Sequence, residues 1–196
     1  MTLAAVLLAG GESRRMGCDK ATLLLNGIPL WERQLSLLRE LSPADLLVSA
    51  RQPPAWLPAD ARFVPDAAPA RGPLAGLTAA LAAIRATHLL ALAIDLPSMT
   101  SDHLATLWRA ACPGCGILPV LNDLPEPLPA VYPAEAAPIA TASLNGPDVS
   151  LNAFTRALIA QGLLKIRIFG SQDAVLYANC NSPADWRRHA EHAHHD

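Results

Sequence analysis

Apolar residues along this chain fall into short dense runs, with stretches of helical period between them. Thr2 to Leu8 is such a run and stops at Gly10-Gly11, as a buried strand does. From Pro29 to about Leu41 the positions Leu30, Leu35, Leu37, Leu38 and Leu41 make one helical face, and Pro29 pre-sets the first turn. Leu46 to Ser49 and Arg62 to Pro65 are predicted strands, and the prolines between 53 and 58 end the first of them because proline removes a ladder donor. Gly72-Pro73 opens a helix through about Ala86. His88 to Ile94 is a nearly continuous apolar run, the pattern of a strand covered on both faces, and it closes at Asp95.

Thr100 or Ser101 can cap a helix to about Ala111. Ile117 to Leu121 and Leu128 to Tyr132 read as strands, and Ala134 to Ser143 and Asp148 to Gln161 as helices. Strands are expected again at Lys165 to Phe169 and Ala174 to Tyr177, and a last helix from Ser182 to Asp185 onward. Strands alternating with helices imply right-handed βαβ units. The expected fold is therefore α/β, three layers, with a mainly parallel sheet and helices on both faces. Ligands of such sheets gather at the carboxyl ends of the strands, where the first run, Asp66 and Asp95 all stand.

The length of 196 residues fits one domain, expected over 1–188 with a solvated, frayed His-rich tail at 189–196. With 52% apolar residues the chain can bury a sizeable core. Fifteen Lys plus Arg against 17 Asp plus Glu give no basic field for nucleic acid. The absence of a membrane-length apolar stretch, and of a basic segment before the first apolar run, predicts a cytoplasmic protein without a membrane partner. Four cysteines are too sparse for a disulfide-stapled fold. Cys112-Pro-Gly-Cys115 has no second CxxC or spaced His pair to complete a zinc site, so it reads as a turn carrying two ordinary thiols rather than as a metal or redox centre. His189, His192, His194 and His195 read as solvated tail rather than metal ligands, and no nucleophile elbow supports a Ser-His-Asp triad.

Candidate chemistry concentrates between Leu8 and Lys20. Gly10 and Gly11 directly after a strand allow close backbone approach to a phosphate, with N–H groups as donors. Arg14 or Arg15 and Lys20 add the positive charge that a polyphosphate requires on leaving water. The segment is neither a Walker loop nor a GxGxxG fingerprint. Asp95, closing a buried strand, would be costly to bury without a cation or donors, although it could also cap the next helix. Asp66 after Pro65 is a nucleotide contact or a turn former.

Leu8-Ala-Gly-Gly, Arg15-Met-Gly and Asp19-Lys20 together resemble the signature of the molybdenum cofactor guanylyltransferases, within the MobA-like nucleotidyltransferase superfamily. The resemblance continues through Gly72-Pro-Leu-Ala-Gly76, Asp95-Leu-Pro97, Pro127-Leu-Pro-Ala-Val-Tyr132 and Asn179-Cys-Asn-Ser-Pro183. It implies a Rossmann-like nucleotidyltransferase fold, with a nucleotide-binding half at about 1–111 and an acceptor-binding half at about 112–188. Leu8, Ala9, Gly10, Gly11, Lys20, Asp66 and Asp95 would bind the nucleotide, and Arg15, Lys20 and Asp95 would carry catalysis. Asp95 would hold Mg2+, while Asn179 and Asn181 would face the acceptor.

The activity so implied is transfer of GMP from GTP to molybdopterin with release of pyrophosphate, with molybdoenzymes or other cofactor-synthesis proteins as the expected protein partners. Two departures fall in the acceptor half: Glu126 stands where the family usually has His, and Val149 where a basic residue is common. They keep open a related transferase using CTP or a sugar phosphate, and a GTP-binding partner protein that has lost transfer.

Overall fold

Alternation within the first strand sets the layers. Ala4, Val6 and Leu8 enter one core cluster while Leu3, Ala5 and Leu7 enter the other, because successive side chains of a strand point to opposite faces. All six are buried, so helices must cover both faces. The structure, a computed structural model, describes residues 1–10, 19–69, 71–180 and 185.

In chain order the elements are β1 (Leu3–Leu8), a 3-10 turn at Lys20–Thr22, β2 (Leu24–Leu25), β3 (Ile28–Pro29), α1 (Leu30–Glu40), β4 (Asp45–Ala50) and β5 (Arg62–Pro65). Then come α2 (Gly72–Ala83), β6 (His88–Ala93), α3 (Ser101–Ala110), β7 (Gly116–Leu121), β8 (Leu124–Pro125) and β9 (Ala130–Pro133). A 3-10 turn at Ala134–Ala136 leads into α4 (Ala137–Leu144), followed by α5 (Leu151–Ala160), β10 (Leu164–Phe169) and a 3-10 segment at Ser171–Tyr177.

The main sheet has eight strands in the order β10-β7-β9-β6-β1-β4-β5, with β8 paired to β7. From β6 to β5 every pairing is parallel, whereas β9 runs antiparallel to both neighbours. One face packs on α2, α4 and α5 through Leu74, Leu77, Leu144, Phe154 and Leu158. The other packs on α1 and α3 through Leu30, Leu35, Leu38, Leu104 and Leu107. This is the expected three-layer α/β fold with a mainly parallel sheet.

Helix α2 is apolar on nearly every side because it lies between the sheet and α4. Thr100, and not Ser101, caps α3, its hydroxyl accepting from the His103 amide at 3.3 Å. Ser150 caps α5 in the same way.

Several segments differ from the sequence-based expectation, the unexpected two-residue β8 among them. The stretch between β1 and α1 holds the β2–β3 hairpin, whose Asn26 and Gly27 both have positive φ, as a tight hairpin turn requires. Ala174 to Tyr177 lies within a 3-10 segment, not a strand. Its Gly170 amide bonds the Asp173 carboxylate at 3.1 Å, which starts a turn where a ladder would be needed. The helix expected from Ala134 begins as a 3-10 turn and becomes α-helical at Ala137. Of the last predicted helix, Asp185 is helical, and Ser182 and Pro183 lie outside the described residues, as does the His-rich tail. Among the described residues no helix is long and apolar enough to cross a membrane.

Candidate functional site

Four parallel strand exits share one edge of the sheet. Leu8 is level with Ala93 in the β1–β6 ladder, so Ala9 and Gly10 leave the sheet beside Ile94 and Asp95. The Ile94 amide still reaches the Leu8 carbonyl at 3.2 Å, which holds the two exits together. From the other half of the chain come Glu126, Pro127 and Leu128 before β9, Leu151 at the start of α5, and Asn179 after the last 3-10 segment. With Leu8, Ala9, Gly10, Asp19, Lys20, Pro73, Ala93, Ile94 and Asp95 they line a cavity of about 330 Å³.

Asn179 arrives there through backbone chemistry. The Cys180 amide donates to the Asp95 carbonyl at 2.8 Å, tying the C-terminal segment to the exit of β6. Upstream, the Tyr177 hydroxyl and His103 Nε2 are 2.6 Å apart in the interior. Burial pushes the Tyr177 hydroxyl well above its ordinary range and the His103 imidazole below its own. The neutral pair therefore anchors the segment that presents Asn179.

Asp95 is the focus of charge in the cavity. Burial raises its carboxyl above the usual range, and Lys20 opposes that shift. Lys20 Nζ stands 3.9 Å from Asp95 Oδ2, beyond hydrogen-bond distance, so compensation is incomplete. The turn that carries Lys20 is capped by Asp19, whose Oδ1 accepts from the Ala21 amide at 3.0 Å. Trp56 Nε1 reaches Asp19 Oδ2 at 3.4 Å, and the Trp56 ring stacks on Trp31 with centroids 5.2 Å apart. Glu126 also lines the cavity, and burial raises its carboxyl. Opposite, α2 opens at Gly72-Pro73 with no side chain capping it, and Pro73 in its first turn lies on the cavity wall, which brings the positive dipole end of the helix to the site.

Gly10 and Asp66 meet in a way the sequence did not reveal. The amides of Ala9 and Gly10 both donate to the Ser49 carbonyl, at 2.9 and 3.1 Å, so they are not free phosphate donors. What Gly10 provides is space: a Cβ there would lie 2.6 Å from Asp66 Oδ2. Gly76 does the same from α2, where a Cβ would come within 3.1 Å of Asp66 Oδ1 and 3.0 Å of Ser49 Oγ. The Ser49 hydroxyl completes the cradle by donating to Asp66 Oδ1 at 2.8 Å. Asp66 thus sits behind the wall formed by Gly10 and is absent from the cavity lining.

The structure therefore brings Leu8, Ala9, Gly10, Lys20, Asp95 and Asn179 to one cavity and seats Asp66 beside it. Gly11, Arg15 and Asn181 lie outside the described residues. Asp19, Ser49 and Pro73 were not singled out from the sequence as site residues, and a helix-capping Asp directly before Lys20 was the signal for the first. Val149, the second departure, packs against the core beneath α4 and α5, which accounts for an apolar residue there.

A divalent cation fits this donor set. Mg2+ keeps several waters and takes one or two carboxylates together with substrate phosphates. Asp95 supplies a hard oxygen donor short of positive charge, with Glu126 on the same cavity. Among the described residues no three His, Cys, Asp or Glu side chains converge as a closed metal site, so phosphate oxygens would have to complete the shell.

Residues 5–162 match the MobA-like NTP transferase domain. A protein of Opitutus terrae named probable molybdenum cofactor guanylyltransferase is 36% identical over 186 residues, covering 93% of this chain and 92% of that one. A molybdenum cofactor guanylyltransferase of Xanthomonas euvesicatoria pv. vesicatoria is 31% identical over 186 residues, with the same coverage of 93% and 92%. The fold is shared with the solved molybdopterin-guanine dinucleotide biosynthesis protein A from Archaeoglobus fulgidus, at a TM-score of 0.71 and 20% identity, covering 98% of this chain and 100% of that one. With its family domain spanning both the β1 exit and Asp95, the chain belongs to the MobA-like NTP transferase family.

Proposed function

We propose that this protein transfers GMP from GTP to molybdopterin and releases pyrophosphate, with Mg2+ bound at Asp95. The observation that carries the reading is the pairing of a desolvated Asp95 with Lys20 in a cavity walled by both halves of the chain. The N-terminal half, 1–111, would hold the nucleotide at the exits of β1 and β6. The C-terminal half, 112–188, would hold the acceptor against Glu126 to Leu128, Leu151 and Asn179. The names and identities of the relatives support GTP and molybdopterin as the substrates.

Chemically, no protein nucleophile is needed. A terminal phosphate oxygen of the acceptor attacks the α-phosphorus of GTP in line, the bond to the bridging oxygen breaks, and pyrophosphate leaves. Lys20, on the turn capped by Asp19, stabilises negative charge growing on the phosphates. Arg15 would act with it on the leaving pyrophosphate. Asp95 would hold the cation, and the cavity would fix donor and acceptor close together, where proximity lowers the barrier. When bound, Mg2+ supplies charge neutralisation between two anionic reactants.

The test is mass spectrometry of the product formed from GTP, molybdopterin and Mg2+. A product heavier than molybdopterin by one GMP, formed with pyrophosphate and lost in Asp95→Ala, supports the reading. Equal products from GTP and CTP would remove the guanine assignment.

A second reading has one observation in its favour. Glu126 puts a carboxylate on the wall that would face a phosphorylated acceptor. A GTP-binding partner protein in molybdoenzyme maturation, without transfer activity, would bind GTP in the same experiment and release no pyrophosphate.

A further inference from the structure

Far from the cavity, at the opposite edge of the sheet, Cys112 and Cys115 flank the turn between α3 and β7. They form an isolated antiparallel bridge: the Cys112 amide donates to the Cys115 carbonyl at 3.0 Å, and the Cys115 amide returns a bond to the Cys112 carbonyl at 2.8 Å. Residues that exchange both bonds have Cα atoms about 5.5 Å apart and side chains on one side of the ladder. That spacing falls within the roughly 4.4 to 6.8 Å that a disulfide spans. Pro113 and Gly114 close the turn, with Gly114 at φ 70°, as a type II turn requires. The Cys115 thiol itself donates to the Gly116 carbonyl at 3.6 Å.

The two thiols are unequal. Cys112 is partly exposed and Cys115 is buried. Lys165 on β10 places Nζ 3.7 Å from Cys112 Sγ, so an ammonium stands where negative charge develops when that sulfur reacts. Burial first, and then the neighbouring Cys112, push the Cys115 thiol up, with Lys165 opposing, so Cys115 is the less readily ionised of the two in this pair's geometry. An accessible sulfur beside a cation, with a buried resolving thiol in bridging register, is the arrangement of a reactive dithiol.

We infer that Cys112 and Cys115 form a redox-active dithiol, with Cys112 as attacking sulfur, Cys115 as resolving sulfur and Lys165 as the stabilising cation. The partner is a low-molecular-weight disulfide. Cys112, its proton lost to solvent, attacks one sulfur of that disulfide and releases one thiolate. Cys115 then loses its proton and attacks Cys112 Sγ, and the second thiolate leaves. Two protein thiols are oxidised and one small disulfide is reduced to two thiols. The site is independent of the transferase reading.

The test exposes the full chain to graded oxidised glutathione, quenches with acid, alkylates free thiols and maps cysteine peptides by mass spectrometry. The expected product in the unaltered protein is an internal 112–115 disulfide. Cys115→Ser should trap one glutathione on Cys112, and Lys165→Met should slow that capture by up to about fivefold, the scale of one exposed charge interaction. The inference is overturned by full alkylation of both thiols in the unaltered protein while Cys18 or Cys180 takes the glutathione. A Cys115→Ser protein without an adduct on Cys112 overturns it equally, and equal capture rates in Lys165→Met remove the lysine from the site.

Discussion

Gly10 and Asp66 occupy each other's space. A Cβ on Gly10 would lie 2.6 Å from Asp66 Oδ2, and the carboxylate is pinned from its other side by the Ser49 hydroxyl at 2.8 Å. The exit of β1 is thereby locked to the exits of β4 and β5.

Gly10→Ala should destabilise the protein by about 1–3 kcal/mol, the usual cost of overpacking. Asp66→Ala alone should cost about 1 kcal/mol for its lost hydrogen bond. Because the clash needs both side chains, the double substitution should be less harmful than the sum of the two. Denaturant unfolding of the four proteins measures this, and strictly additive losses would mean that the two residues do not meet.

Asp95→Asn should lower the rate of pyrophosphate release by about 100-fold or more, since it weakens charge stabilisation at the phosphates. The folded protein should lose little, because a desolvated carboxylate whose lysine partner stands 3.9 Å away is a poor source of stability. Steady-state rates and a melting curve test the two halves of this statement. Loss of melting temperature in proportion to loss of rate would make Asp95 structural.

The sequence displayed the frame of this site better than its detail. β1 and β6 were legible because strands buried on both faces leave unbroken apolar runs, and Asp95 stood out as the charge that ends one of them. The antiparallel course of β9 was not legible, since no local pattern states which strand is a neighbour. The cradle of Ser49, Gly10 and Gly76 around Asp66 joins residues from β4, α2 and the exits of β1 and β5. The Cys180–Asp95 bond uses only backbone, so no side chain announces it. Asn26-Gly27 did carry a hairpin signal, but its two-residue strands are too short for alternation to show.

Acid-range stability should follow the buried carboxyls. Burial raises Asp95 and Glu126 above ordinary values of 3.8 and 4.5. A raised folded pKa means that the native state keeps protons the unfolded chain has already released. The associated stability is complete below the ordinary values and is lost as pH climbs through the raised ones. The melting temperature of the ligand-free protein should therefore carry a downward contribution over that window, and Asp95→Asn should flatten it. Scanning calorimetry across the range decides: a curve for Asp95→Asn parallel to that of the unaltered protein refutes the assignment.

Tyr177→Phe should cost about 1 kcal/mol by deleting the 2.6 Å bond to His103. The same change loosens the segment that carries Asn179 to the cavity, so the KM for molybdopterin should rise more than the KM for GTP. Kinetics with each substrate varied in turn read this. An equal rise in both constants would argue that the segment serves the whole site.

Glu126 gives the sharpest test of the acceptor wall. Its amide is fixed to the Pro119 carbonyl at 2.8 Å, so an isosteric change at the side chain leaves the backbone path intact. Removing its charge with Glu126→Gln should relieve repulsion against a phosphorylated acceptor and lower the KM for molybdopterin by up to about fivefold, with GTP binding unchanged. Titrating each substrate separately discriminates the outcomes. Tighter GTP binding with an unchanged KM for molybdopterin would place the Glu126 carboxylate against the nucleotide, and the division of the cavity between the two halves of the chain would have to be redrawn.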